Sequence, residues 1–148
     1  GSDGKEKWRE VNNNLVVTAG LNAVLTEFFK GSSYTATWCI GLKGTGTALA
    51  ADTMSSHSSW SEITDYTQSA RPTIVLGTPS AGSVDNTASK ADFSINGTTT
   101  IYGAFLVNAS AKGGTGGTLY GVVDFGSSRA VISGDTLTVT VTLTAASA

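Results

Sequence analysis

The sequence contains few reactive side chains. Its 148 residues include one cysteine and one histidine, and only 14% of them are charged. A single cysteine excludes an internal disulfide and a thiolate metal cluster, and a single histidine argues against a transition-metal site. No apolar stretch approaches the roughly 18 residues of a membrane-spanning helix, and no signal peptide is recognisable. We therefore expect a soluble chain with no bound metal and no membrane partner.

Neither nucleic-acid binding nor catalysis is indicated. The formal net charge is −2 and no basic stripe occurs, whereas a protein that follows a phosphate backbone needs one. His57 lies among serines, but no G-x-S-x-G motif accompanies it. Cys39 follows Trp38 in an apolar segment, where cysteine behaves as a small buried hydrophobe. The carboxylates are scattered along the chain, so we expect no nucleic-acid partner, no catalytic residue and no cofactor.

The clearest structural pattern is a strict alternation near the end of the sequence. Residues 136–144 read TLTVTVTLT, so leucine and valine fall on one face and threonine on the other. A period of two predicts a β-strand with one buried apolar face. The threonine face suits water or another protein. An uncovered strand edge would favour pairing between copies, so we expect a homodimer or a trimer.

Residues 18–30 form the one helix that the sequence predicts. Thr18 is the expected N-cap, and Gly31 is the expected left-handed stop. Five apolar residues with helical spacing predict a short amphipathic helix whose stripe packs on the core. These residues are Leu21, Val24, Leu25, Phe28 and Phe29.

The rest of the chain has the pattern of an all-β protein. Short apolar segments and turn residues recur at spacings of about 10 residues, which is typical of a β-sandwich or jelly roll with about eight antiparallel strands. Asn96-Gly97 predicts a hairpin turn, and residues 112–118 (KGGTGGT) predict a flexible loop. We expect residues 15–148 to form a single β-sandwich domain, because that length suffices for a packed core.

The chain begins with a charged segment. Residues 3–10 (DGKEKWRE) carry six charges around Trp8, and residues 1–14 therefore predict a solvated, partly mobile N-terminal arm. The alternative is an arm that binds a neighbouring subunit through Lys5, Lys7, Trp8 and Arg9. Trp60 lies in the polar run SSWSE, where it either packs over the end of the sandwich or contacts a partner.

Several segments together resemble a family of small virion structural proteins of tailed bacteriophages. The resemblance covers most of the chain and includes the dipeptide Arg71-Pro72. The segments are residues 31–42 (GSSYTATWCIGL), 51–62 (ADTMSSHSSWSE), 90–96 (KADFSIN), 100–106 (TIYGAFL) and 133–144 (SGDTLTVTVTLT).

By analogy with jelly-roll cement proteins, the resemblance implies a capsid decoration protein. Such a protein is made in the host cytoplasm, binds the major capsid protein and lies on the outer surface of the capsid. Binding through many weak copies suits a repeating lattice. The alternative is a module associated with a tail or fibre, or one that binds carbohydrate through a stacking platform of Trp60 and Tyr66, because jelly rolls also serve as lectins.

Overall fold

The structure is a computed structural model that describes residues 1–31 and 37–146. Within those ranges the chain forms antiparallel strands and a single short helix, which confirms the predicted all-β class. The helix α1 spans Thr18–Val24 and continues as a π-helical turn, Leu25–Phe29. The strands are β1 (Leu15–Val16), β2 (Trp38–Lys43), β3 (Glu62–Ile63), β4 (Thr73–Ile74), β5 (Ser83–Asp85), β6 (Ala91–Ser94), β7 (Thr99–Val107), β8 (Leu119–Val131), β9 (Thr136–Val139) and β10 (Thr142–Thr144).

Six strands form the main sheet. Its order is β1-β8-β7-β2-β3, and β4 pairs with the other end of β2. Two further sheets have two strands each, β6 with β9 and β10 with β5. The sequence pattern predicts separate strands at 119–125 and 130–132, but β8 is continuous and pairs with β7 at both ends, with a register shift between Ile101 and Gly103. Such an irregularity lets the longer strand bend while the pairing continues.

Apolar side chains pack on both faces of the main sheet. In β2, Ile40 and Leu42 belong to the larger cluster, which includes Phe93 and Leu137 from the small β6–β9 sheet. Cys39 points to the opposite face and joins the second cluster. The second cluster consists of Val17, Cys39, Met54, Trp60, Phe105, Val107, Leu119 and Val122. The main sheet is therefore the central layer, with the small sheets on one face and the loop around Trp60 on the other.

The alternating segment at 136–144 has the predicted two faces. Leu137 is buried and Val139, Val141 and Leu143 are half-buried, whereas all five threonines are exposed. The segment is interrupted, however, so that β9 pairs with β6 and β10 pairs with β5. One edge of each half is thus covered by a strand of the same chain.

The Asn96-Gly97 prediction is wrong. A type I′ hairpin turn needs positive φ at both central residues, and neither residue has it. The strand before this dipeptide, β6, pairs with β9, whereas β7 after it pairs with β8 and β2. Asn96-Gly97 therefore connects two sheets, because the apolar face of β6 packs across the core from the strand that follows it.

Candidate protein-docking surface

The helix is attached to the sandwich at its first turn. The backbone N–H of Val17 donates to the carbonyl of Tyr120 at 3.1 Å, and that of Thr18 donates to Ala50 at 2.9 Å. Gly20 is buried against β8, where an added Cβ would overlap the backbone of Tyr120. Val17 occupies the N-cap position and no side chain caps the helix, so the predicted capping role of Thr18 is wrong.

The predicted orientation of the helix is also wrong. Its small residues face the protein: Gly20 is buried, and Ala19 and Ala23 are half-buried. Close approach to the backbone of β8 requires small side chains, so the wide apolar stripe points away. The exposed fractions are 52% for Leu21, 48% for Val24, 55% for Leu25, 79% for Phe28 and 73% for Phe29. The stripe itself is correctly located, and Gly31 adopts the predicted left-handed conformation with φ of 66°.

An apolar groove runs between the helix and the sandwich. Its volume is about 360 Å³, and its helical wall consists of three apolar residues and one carboxylate, namely Ala23, Val24, Phe28 and Glu27. The opposite wall is built by Trp38, Leu76, Leu106, Tyr120 and Leu143. We call the exposed stripe and this groove together the helix-groove surface. Contiguous exposed apolar surface of this kind marks protein contacts in soluble proteins.

The N-terminal arm lies against the sandwich. Lys7 forms an ion pair of 2.7 Å with Asp135, and Glu10 forms one of 2.5 Å with Arg129. The Arg129 guanidinium lies 4.6 Å from the centre of the Trp8 ring, which also contacts Phe125. The arm is solvated at residues 2–7, as predicted, but it lies on its own domain, because Trp8 and two ion pairs hold it there.

The other two cations of the arm face solvent. Lys5 and Arg9 are exposed, and Arg9 bonds only to its neighbour Glu6 at 2.8 Å among the contacts that the described chain shows. Lys7 and Trp8 contact the sandwich, so Lys5 and Arg9 are the two of the four predicted partner-binding residues of the arm whose described contacts do not hold it on the domain. Exposed ion pairs such as Arg9–Glu6 add little stability and are easily exchanged.

The Asp135 carboxylate is the main fastening point of the arm. Three hydrogen bonds lower the pKa of Asp135 to about 2. The bond from Lys7 has the largest effect, and the backbone N–H groups of Ile132 and Ser2 donate the other two. The ordinary value in an unfolded chain is about 3.9.

We expect acid to weaken the protein through this carboxylate. Because the folded pKa is depressed, its contribution is fully present above pH of about 4 and is lost as the pH falls towards 2. Urea unfolding at a series of pH values should show this loss in the natural chain and much less of it in Asp135→Asn. An NMR titration that placed the folded carboxyl near its ordinary pKa would contradict the expectation.

Trp60 is part of the core. It is 5% exposed, and its indole N–H donates to Asp52 at 2.9 Å. Its ring stacks on His57 at 4.0 Å between centroids and contacts Phe105. The interpretation of Trp60 as a partner-binding residue is therefore wrong. The alternative, that Trp60 packs against the sandwich, agrees with its burial. Tyr66 is also fully buried, so the two rings form no exposed platform for a sugar.

His57 and Cys39 have structural surroundings. The Nδ1 atom of His57 lies 3.1 Å from the carbonyl of Trp60, which closes the turn that follows Asp52. Cys39 is fully buried, with Sγ 3.7 Å from the hydroxyl of Thr73. No group of three or more His, Cys, Asp or Glu side chains in the described ranges could hold a metal ion.

A buried ion pair is the feature that the sequence does not reveal. Arg71 is 1% exposed and bonds to both carboxylate oxygens of Glu62, at 2.9 and 2.7 Å. Two more of its N–H groups donate to the carbonyls of Ala109 and Gly114, while the N–H of Gly113 donates to Glu62. The glycine-rich loop, predicted to be flexible, is thus fastened to the sandwich by charged groups from two other segments.

The charge of Glu62 also affects a neighbouring phenol. Burial is the first cause that raises the pKa of Tyr66 above its ordinary value of about 10, and the nearby Glu62 carboxylate is the second. Lys112 lies over the Tyr66 ring, 4.4 Å from its centre, and donates to its backbone carbonyl. Tyr66 therefore stays neutral and packs as an aromatic core residue.

Across residues 1–31 and 37–146, no helix has the length and apolar character needed to cross a bilayer. The sequence matches no known family model and no curated protein. Two surfaces of the molecule are candidates for contact with a partner, namely the helix-groove surface and the exposed cations of the arm.

Proposed function

We propose that this chain is a non-enzymatic virion structural protein that binds the outer surface of a tailed-phage capsid and cements neighbouring major capsid subunits. The segments that resemble phage virion proteins support the choice of the capsid. The observation that supports an assembly role is the helix-groove surface. Its two phenylalanines are 79% and 73% exposed, and their exposure to water does not stabilise a monomer, whereas their burial against a partner would be favourable.

The arm supplies the proposed contact with the capsid. Its backbone is positioned by the Lys7–Asp135 and Glu10–Arg129 ion pairs, so little ordering entropy is lost when it binds. Lys5 and Arg9 are exposed on this positioned backbone. Individually weak contacts of this kind suffice on a capsid, because many copies bind one lattice.

The test compares arm variants on isolated heads that carry the cognate major capsid protein. Deletion of residues 3–10, and the double variant Lys5→Glu/Arg9→Glu, should lower occupancy at least tenfold at a concentration where the natural chain is near saturation. Co-sedimentation measures occupancy, and imaging of the particles locates the bound protein.

Lys90→Glu is the matched control, because Lys90 is an exposed lysine outside the arm. It should bind as the natural chain does. Full occupancy by the arm-deleted protein would show that the arm is not the attachment point. Binding to the tail, or no binding to heads by the natural chain, would overturn the proposed function itself.

A further inference from the structure

We infer that the helix-groove surface binds the same surface of a second copy of this chain, in a pair related by a twofold axis. The pairing is a property of the free protein and goes beyond attachment to the capsid. Its occupant can be argued from the shape, the charge and the size of the surface.

The surface carries a projection and a recess side by side. Phe28 and Phe29 project from the helix with their rings in edge contact at 5.0 Å, and the groove lies directly beside them, since Phe28 also lines it. A twofold axis brings identical patches together, so each patch must fit itself. An axis that passes between these two features places the phenylalanines of one copy over the groove of the other.

The charges on the helix permit contact between two identical surfaces. Residues 18–30 contain one acid, Glu27, and one base, Lys30, so the segment has no net charge. Two identical segments therefore do not repel each other.

The two phenylalanines supply more than half of the area that a specific pair needs. Aromatic side chains bury about 150–250 Å² each, so two phenylalanines that are 79% and 73% exposed offer about 300 Å² in each copy. The two copies then contribute about 600 Å² before the aliphatic stripe and the groove walls are added. Those additions bring the total towards the roughly 1,000 Å² that separates specific interfaces from incidental contacts.

The π-helical turn coincides with the centre of this surface. It spans Leu25–Phe29 and so contains both phenylalanines. Single π turns are rare and are found mostly at functional sites. The widened turn changes the angle at which Phe28 and Phe29 leave the backbone, so the two exposed side chains also have an uncommon backbone geometry.

Sedimentation equilibrium on the purified full chain tests the pairing. At micromolar concentrations the natural chain should have twice the 15.0 kDa mass of one chain. Phe28→Ser/Phe29→Ser should weaken the pair at least 100-fold and sediment as one chain. Val11→Ser is the control, because Val11 is an apolar residue that is 95% exposed on the arm, and it should remain paired.

Hydrogen exchange on the natural chain gives an independent measurement if the double variant fails to fold. Protection of residues 18–29 should rise with protein concentration, while the amides of β7 should not change. A natural chain that stays monomeric, a trimer, or a double variant that remains paired would each overturn the inference. None of these results would bear on attachment to capsids, because the capsid is absent from both measurements.

Discussion

Arg71→Met is expected to lower the free energy of unfolding by about 3–5 kcal/mol. The substitution leaves the Glu62 carboxylate, whose side chain is 7% exposed, without its charge partner. It also removes the donors to the carbonyls of Ala109 and Gly114, so the 112–118 loop loses one of its attachments. Urea unfolding followed by tryptophan fluorescence measures the change.

A matched pair of controls separates burial from charge. Arg9→Met removes the same side chain from the exposed Arg9–Glu6 ion pair and should change stability by less than about 0.5 kcal/mol. Arg71→Met/Glu62→Gln removes the uncompensated buried charge and should recover part of the loss. If Arg71→Met lowered the free energy of unfolding as little as Arg9→Met does, the buried ion pair would not be important for the stability of the fold.

Trp60→Ala is expected to destabilise the protein by a similar amount, about 3–5 kcal/mol. The ring fills the second cluster between His57 and Phe105, so its removal leaves a cavity. Asp52 would also lose the indole donor, although it would keep the N–H of Leu49 at 2.8 Å. Thermal and urea unfolding of the variant measure the loss.

Two further variants divide that loss into its parts. Trp60→Phe keeps most of the ring and deletes the indole donor, so we expect a loss of about 1–3 kcal/mol for the buried carboxylate. Trp8→Ala removes the same side chain from the half-buried arm and should destabilise the fold less than Trp60→Ala. Equal losses at the two tryptophans would contradict the assignment of Trp60 to the core.

The two proposals combine into one picture of cementing. A twofold pair built on the helix-groove surface would carry two arms, and each arm presents Lys5 and Arg9 outward. Such a pair would bridge two capsid subunits through its two arms. Linking two weak contacts raises the overall affinity without any new interface.

The predictions that succeeded rest on periodicity. The alternation at 136–144 has a period of two, and the stripe from Leu21 to Phe29 follows helical spacing. Both patterns describe how side chains distribute around a backbone, which is a local property. The class of each element, and therefore the all-β class of the chain, can be read from such patterns.

The predictions that failed concern what each element faces. The helical pattern is the same whether the stripe meets the core or a second molecule, and here Gly20 and not Leu21 faces β8. Asn96-Gly97 favours a hairpin turn. The strand before it, β6, pairs instead with β9, which lies about 40 residues further along the chain. No local rule carries that information.

Local side-chain order thus determined the strands, the helix and the exposed threonine face. Tertiary contacts alone decided that Arg71 meets Glu62, that Trp60 is buried and that Trp8 holds the arm in place. The physical reason is that hydrogen bonding and side-chain alternation act between near neighbours, whereas burial depends on which distant segments share one core. The same distinction left the apolar stripe on the outside of the molecule, where we place its partner.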